Sequence, residues 1–389
     1  MDDKYITDKI KYIGVDDESL DLFENQYILK NGMSYNSYLV DDEKIVIIDT
    51  VDKRKTNEWL DNLEKTLNGR NPDYLIISHL EPDHSGSIGK LINRYPNIKI
   101  ISNEKVFSML PQFIDNKEEI EQRKVVVKEG DTFSSGTHNF KFIMAPMVHW
   151  PEVMMTYEEN NKILFSADAF GKFGTINTDE PWINEARRYY INIVGKYGMQ
   201  VQMLLAKASK LDIKMICSLH GPILKENLQY YIDLYDKWSK YEPETNGTLI
   251  VCGSLHGNTL EAAQKFERDL KNDGEVTKLV DISRTSIPDV VSEAFKYSKM
   301  VIACATYNMS IFPAINSFLT LLKEKNYQNR KVGIIENGSW APNAAKCITG
   351  YLECMKDIEI INPVVTIKTR LNEDSYNKLK ELEDEIIKR

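Results

Sequence analysis

The chain has no CxxC pair among its five cysteines, no GxGxxG loop, no internal repeat, and no apolar run long enough to cross a bilayer. Each absence excludes something. Cys217, Cys252, Cys304, Cys347 and Cys354 are too scattered for a zinc ribbon, a rubredoxin centre or a thioredoxin motif, so any electrons this chain handles must come from a separate partner. Their apolar neighbours read as reduced, mostly buried thiols in a reducing compartment. A membrane helix needs about 18 apolar residues, and the amino-terminal stretch MDDKYITDKIKYIG lacks the apolar centre of a signal peptide. A cytoplasmic protein without membrane contact is expected. Lysine and arginine number 49 against 58 aspartates and glutamates, and the net charge of −9 argues against nucleic acid or an anionic membrane as a partner. Histidine is scarce, at six residues in 389, which makes its placement informative.

A chain of 389 residues is too long for one ordinary core and implies two domains. From Met1 to about Ser239, short apolar strands (SYLV, KIVIID, YLIIS, IKII, KFIMAP, ILFSAD) alternate with helical stretches, and one long helix is predicted over about Glu185 to Leu211. The segment YEPETNG, Tyr241 to Gly247, is polar and turn-rich and reads as a linker. Beyond it GTLIVCGS, EVTKLVDI, MVIACAT and KVGIIENG read as strands, while TLEAAQKFERDLKNDG, AINSFLTLLKEK and the charged final stretch read as helices. That alternation predicts a doubly wound parallel sheet. The expected domains are residues 1–246 and 247–389.

In the first domain, His79-Leu80-Glu81-Pro82-Asp83-His84 gathers two imidazoles and two carboxylates between the predicted strand DYLIIS and the predicted helix SGSIGKLINRY. Active sites of layered α/β folds commonly lie at such strand ends. Other candidates occupy the same kind of position: His149 after KFIMAPMV, Asp168 after ILFSA, and His220 after KMICSL and before Gly221-Pro222. Loop histidines and acids are usually solvated bystanders, but chance would rarely repeat the strand-then-ligand arrangement, so the set reads as a binuclear metal site. It resembles the ligand set of the metallo-β-lactamase superfamily, whose first motif runs HxHxDH, with Glu81 in place of the second histidine. The added carboxylate makes the site harder and more anionic, which favours iron over zinc. Asp168, as a bridging carboxylate, would hold two metals roughly 3.5 to 4 Å apart.

In the second domain, Ser254-Leu255-His256-Gly257-Asn258-Thr259 lies between the strand TLIVCG and a helix expected from Leu260. Backbone amides at that helix start, with the hydroxyls of Ser254 and Thr259, make a phosphate cradle, and the missing GxGxxG disfavours a dinucleotide. The stretch resembles the flavodoxin loop that ends GNT and holds the phosphate of FMN. Two further loops follow strand ends, Ala305-Thr306-Tyr307-Asn308 and Gly338-Ser339-Trp340-Ala341, where flavodoxin-like folds hold the isoalloxazine ring. Tyr307 and Trp340 are the candidate aromatic contacts.

A β-lactamase-like domain bearing HxExDH followed by a flavodoxin-like domain resembles the flavodiiron proteins, also called A-type flavoproteins. The resemblance covers nearly the whole chain, through SYNSYLV, HLEPDHSGS, APMVHWPE, LFSADAFGKFG, LHGPI, SLHGNT and ATYNMSIFP. It implies an α/β fold in which a metallo-β-lactamase-like αββα sandwich precedes a flavodoxin-like doubly wound parallel sheet. By the same resemblance His79, Glu81 and His149 would bind one iron, Asp83, His84 and His220 the other, and Asp168 both. The implied reaction is reduction of O2 to water, or of nitric oxide to nitrous oxide, with electrons relayed by FMN. Rubredoxin or another small donor would supply them, and a head-to-tail homodimer, or a dimer of dimers, would bring the flavin of one subunit beside the irons of its neighbour. Tyr189 and Tyr190 are candidate proton donors that read more simply as core or interface aromatics.

The chain departs from the family pattern in three places: His256 stands where such loops usually carry a hydroxyl or an aromatic, NGSWAPNAAK differs from the third flavin loop of many members, and no histidine precedes His79. A zinc hydrolase with a flavodoxin-like binding module is the competing reading, and Glu81 discriminates against it.

Overall fold

Strands such as Tyr38–Val40, Val46–Ile48 and Ile163–Phe165 have no exposed residue, so they need cover on both faces and a layered arrangement to supply it. The computed structural model describes residues 6–114 and 117–388, and the chain divides into two compact units. Residues 1–5 and 389, the outer ends of the two expected domains, lie outside the described residues.

The first unit runs to Tyr190 and resumes over Met199–Asp236. One sheet has six strands in the order β1 (Ile10–Tyr12), β2 (Tyr38–Val40), β3 (Val46–Ile48), β4 (Tyr74–Ile76), β5 (Lys99–Ser102) and β6 (Lys124–Val126). β1 to β3 pair antiparallel and β3 to β6 parallel. A second sheet holds β7 (Thr132–Ser134), β8 (Asn139–Met144), β9 (Met154–Glu158), β10 (Ile163–Phe165) and β11 (Met215–Cys217), antiparallel except for the last pair. The sheets share one core, in which Tyr38, Val40, Ile48 and Ile76 pack with Phe140, Phe142, Met154 and Phe165. Alternate residues such as Leu39, Ile47 and Leu75 point the other way and are fully buried too. The helix Thr56–Leu67 turns Trp59, Leu63 and Leu67 inward, and Trp59 Nε1 donates to Ser37 Oγ at 3.0 Å beside β2. The loops after β4, β8, β10 and β11 carry the candidate metal residues.

The second unit comprises Ile191–Gly198 and the chain from Lys237 onward. Its parallel strands lie in the order β13 (Thr277–Asp281), β12 (Thr245–Gly253), β14 (Tyr297–Tyr307), β15 (Arg330–Asn337) and β16 (Ile358–Ile367), the 2-1-3-4-5 order of a flavodoxin-like sheet. Ile250, Val301, Ile335 and Val365 pack with Phe266 of the helix Asn258–Asn272 and with Leu379 and Leu382 of the helix Glu373–Ile387. β16 is absent from the predicted strands because Pro363 interrupts its pattern. Its pairing with β15 shifts register between Gly333 and Ile335, an irregularity of the kind that admits a residue without an N–H.

Two expectations are corrected. The predicted helix over Glu185 to Leu211 is interrupted: Trp182–Tyr189 and Gly198–Ala208 are α-helical, but Tyr190–Val194 is a π-helical turn and Gly195–Tyr197 is 3-10. Other contacts claim the intervening segment. Asn192 Nδ2 donates to Pro288 O at 3.2 Å, Asn326 Nδ2 donates to Lys196 O at 2.9 Å, and a Cβ on Gly198 would strike the Ser239 carbonyl. For the same reason the 246/247 boundary is displaced. It falls inside β12, whereas the second unit takes in Ile191–Gly198 and then begins at Lys237.

Among the described residues no helix is long and apolar enough to cross a membrane. All five cysteines are free; Cys217, Cys252 and Cys304 are buried as expected, Cys347 is half-buried and Cys354 is exposed.

Candidate metal centre and flavin cavity

The loop after β4 leads into a one-turn helix, Pro82–Ser85, so Asp83 and His84 sit on helical backbone while His79 and Glu81 precede it. The helix predicted from Ser85 to Tyr95 is therefore two pieces, the second being Ile88–Arg94. Left-handed backbone at Met147 (φ 65°), Ala167 (φ 50°) and Phe170 (φ 66°) flanks His149 and Asp168. Such conformations cost energy in residues with a Cβ and gather where function imposes geometry.

All of the sequence-predicted metal residues come together, in two groups. His79, Glu81, His149 and Asp168 form one, and Asp83, His84 and His220 the other, each with candidate ligand atoms within 4.8 Å of one another. Asp168 faces both. Its Oδ2 lies 3.4 Å from His79 Nε2 and 3.2 Å from His149 Nε2, while its Oδ1 lies 3.2 Å from His84 Nε2 and 3.8 Å from His220 Nε2. Glu81 Oε2 is 3.0 Å from His149 Nε2, and Asp83 Oδ2 is 3.1 Å from His220 Nε2. Both oxygens of Asp83 and Oδ1 of Asp168 are buried without a hydrogen-bond partner, a costly state unless a cation takes their lone pairs. Four imidazole nitrogens and several carboxylate oxygens make a mixed, hard donor set that fits iron.

Residues not predicted from sequence orient these side chains. His220 Nδ1 lies 2.7 Å from the Ser34 carbonyl, which can only accept, so the proton is on Nδ1 and Nε2 offers its lone pair inward. His79 Nδ1 is 2.9 Å from Glu152 Oε1, an oxygen that also accepts from Leu80 N at 3.0 Å. Glu152 stands in the same HWPE stretch as His149; a buried acid three residues after a ligand was the available signal. Ser34 opens the SYNSYLV stretch, but its residue type gave no sign of this role, because its backbone oxygen meets the ring while its Oγ accepts from Gly221 N at 2.6 Å.

The site attracts positive charge. Burial opposes protonation of His79, but Glu152 and then Glu81 and Asp168 hold its imidazole well above the ordinary value. Against burial, His84 is lifted to about 9 by Asp83 and Asp168, and His149 to about 9 by Asp168 and Glu81. Asp168, also against burial, is held well below the usual carboxylate range by His84 and His149. A cation bound among these carboxylates would answer the same negative charge and leave the imidazoles neutral as ligands.

Aromatic rings close the His220 side: Phe23 at 5.8 Å, Tyr35 at 6.1 Å and Tyr189 at 5.5 Å between ring centroids. Tyr189 and Tyr190 are both fully buried. Tyr190 packs on Tyr235 at 4.9 Å, as a core aromatic does. The Tyr189 hydroxyl has no hydrogen-bond partner, and its pKa is pushed well up by burial and then by Asp168, Glu81 and Asp83. Glu24, unpredicted, stands on the hairpin turn between Leu22–Phe23 and Tyr27–Ile28, and is raised to about 7 by desolvation of its carboxyl and then by Glu81.

In the second unit, a cavity of about 500 Å³ opens at the carboxyl ends of β12, β14 and β15. The lining includes Ser254, Leu255, His256, Asn258 and Thr259 from the first predicted loop, Ala305 to Asn308 from the second, and Gly338 to Ala341 from the third. Gly257 is outside the lining. It precedes a helix that begins at Asn258, two residues before the expected start, and donates its N–H to Ser254 Oγ at 3.1 Å with φ 96°. Met309, Asn337 and Thr369 also line the cavity and were not predicted. They fasten the loops: Asn343 Nδ2 donates to Met309 O at 2.7 Å and Asn337 Nδ2 to Thr369 O at 2.9 Å. A larger cavity of about 680 Å³ lies at the amino-terminal ends of the same strands, but its buried cations are already engaged. Lys299 pairs with Glu275 at 2.8 Å, and Arg330 donates to the carbonyls of Tyr241, Phe295 and Tyr297.

The family model described as ODP family beta lactamase matches residues 33–221. An uncharacterized protein of Methanocaldococcus jannaschii is 32% identical over 323 residues, covering 82% of this chain and 81% of that one. The anaerobic nitric oxide reductase flavorubredoxin of Aliivibrio salmonicida is 28% identical over 361 residues, 90% of this chain and 72% of the relative. Among solved structures, the rubredoxin oxygen:oxidoreductase of Desulfovibrio gigas superposes with a TM-score of 0.91 at 25% identity, covering 98% of this chain and 97% of that one.

Proposed function

The chain belongs to the flavodiiron protein family, and on that premise we propose that it reduces O2 to water, with reduction of nitric oxide to nitrous oxide as the second reading. It is an oxidoreductase whose cofactors are a diiron centre and FMN. We assign His79, Glu81 and His149 to one iron, Asp83, His84 and His220 to the other, and Asp168 to both. The observation that carries this assignment is the orientation of Asp168, one carboxylate oxygen toward each group.

When bound, the irons and FMN supply the electrons and coordination positions that reduction of a diatomic molecule needs. The chain supplies the setting. Glu152 and the Ser34 carbonyl hold the His79 and His220 rings so that each presents Nε2. Phe23, Tyr35 and Tyr189 pack around His220 and exclude water there. Both reductions consume protons, and the buried, unpartnered hydroxyl of Tyr189 is assigned as a donor to bound substrate. FMN is assigned to the 500 Å³ cavity, with its phosphate on the Ser254 to Thr259 loop and its ring against Tyr307 and Trp340.

The preference for O2 rests on the likeness to the Desulfovibrio gigas enzyme, and the nitric oxide reading on the names of the flavorubredoxin relatives. We further assign a rubredoxin or another small protein as electron donor, a head-to-tail homodimer or dimer of dimers as the working form, and the cytoplasm as its place, where free thiols persist. Steady-state assays with reduced rubredoxin and each gas test the reading. Faster O2 consumption is expected; markedly faster N2O formation would reverse the preference, and a colourless zinc protein would overturn the iron assignment.

A further inference from the structure

The lining of the flavin cavity contains hydroxyls, amides and aromatic rings but no lysine, arginine, aspartate or glutamate. Its only titratable side chains are His256 and Tyr307. Charged residues on these and the adjoining elements stand outside the lining: Glu261 in the first turn of the helix Asn258–Asn272, Asp281 at the end of β13, Arg284 just beyond it, and Glu336 on β15. Glu336 is engaged elsewhere, accepting from Ala345 N at 3.0 Å and from the Thr366 hydroxyl at 2.8 Å.

A flavin phosphate brings close to two negative charges into this neutral setting. The helix start and the loop amides answer part of that charge with dipoles. The one lining side chain able to carry a full positive charge is His256, exposed beside Gly257. Histidine changes charge between about pH 5 and pH 8.

We propose that His256 selects for the phosphate: as an imidazolium it pairs with the phosphate of the flavin, and so makes the preference for FMN over riboflavin depend on pH. The proposal rests on the flavin assignment above. No lining carboxylate competes for the imidazolium and no lining cation competes for the phosphate. The candidate ring contacts, Tyr307 and Trp340, belong to other loops, so loss of the His256 charge is felt at the phosphate and not at the ring.

The test uses the full chain with its metals retained and its flavin removed, titrated with FMN and with riboflavin at low ionic strength. Wild type and His256→Asn are compared at about pH 6 and about pH 8.5, either side of the ordinary range of histidine. The expected ratio of FMN dissociation constants, variant over wild type, is about fivefold at the lower pH and near one at the higher. For riboflavin it is near one at both. Taking the ratio removes the protonation of the phosphate itself, which is common to both proteins. His256→Lys, charged at both pH values, should bind FMN as well as wild type does at the lower pH and more tightly than wild type at the higher, which keeps the test decisive if the asparagine variant folds poorly. Equal FMN affinity of wild type and His256→Asn at both pH values overturns the proposal and leaves the flavin assignment standing. An equal loss for riboflavin also overturns it, since packing would then be the cause. A wild-type chain that binds neither flavin overturns the flavin assignment and the proposal with it.

Discussion

The two sites are built from opposite materials. The metal centre collects ionisable side chains, most of them buried, and leaves carboxylate oxygens without partners; the flavin cavity is lined without a single lysine, arginine, aspartate or glutamate. A cation site needs lone pairs forced together, which is costly until the cation arrives. A site of hydroxyls, amides and rings carries no such cost and persists when empty. The first unit should therefore depend on its ligand for stability as well as for function, and the second mainly for function.

The largest expected effect tests that contrast at Asp168. Asp168→Asn keeps the shape and removes both the charge and one of the two oxygens. Turnover should fall by more than about a hundredfold, beyond the roughly 10–100-fold typical of residues that only orient a ligand. Iron per chain should drop while FMN per chain does not. Full iron occupancy and normal turnover in this variant would erase the distinction between the two sites. Next comes Glu152→Gln, which keeps a hydrogen bond to His79 but removes the buried charge behind it. Iron affinity, measured by competition with a chelator, should weaken about 10-fold, the lower end of that same range. An unchanged affinity would show that the backbone alone sets the His79 ring.

The same contrast governs what could be read in the sequence. Histidine is scarce in this chain and recurs with acids at strand ends, so the candidate ligands His79, Asp168 and His220 stood out before any fold was known. The three loops that line one cavity could be singled out because strand, turn and hydroxyl run together in the chain. What escaped was defined by packing rather than by residue type. The Ser34 carbonyl acts through the backbone, β16 hides behind Pro363, and the break at Tyr190–Val194 arises because Asn192, Lys196 and Gly198 make contacts with residues far along the chain. Helical periodicity in Glu185 to Leu211 is real, but it carries no record of those contacts.

An acid remote from both sites sharpens the point that buried charge is stable when its partners are present. Asp42 accepts from Ser135 Oγ, Thr137 N, Thr137 Oγ1 and His138 N, at 2.8 to 2.9 Å. Burial raises its pKa, but those donors, led by the His138 N–H, outweigh burial and bring it to about 2. Because the folded value is depressed, the stabilisation is present above the unfolded value near 4 and is lost as pH falls toward about 2. Asp42→Asn should cost about 2 kcal/mol at neutral pH in urea unfolding. The gap between variant and wild type should close across that acid window. A gap that persists at the acid end would mean that the loss is one of shape and not of charge.

The smallest expected effect lies on the neutral side of the comparison. Trp340 is 89% exposed and lines the flavin cavity, so no other part of the fold depends on its ring. Trp340→Leu should leave the unfolding midpoint of the flavin-free protein unchanged and leave iron content untouched. Only the flavin should register the change: stacking of this kind contributes about 1 kcal/mol, so FMN and riboflavin should both bind about fivefold more weakly. Because the ring is common to the two flavins, the equal loss separates this residue from one that reads the phosphate. If instead the flavin-free protein loses stability, the cavity is not the preformed, ligand-independent structure that its neutral lining implies, and the two sites differ less than their chemistry suggests.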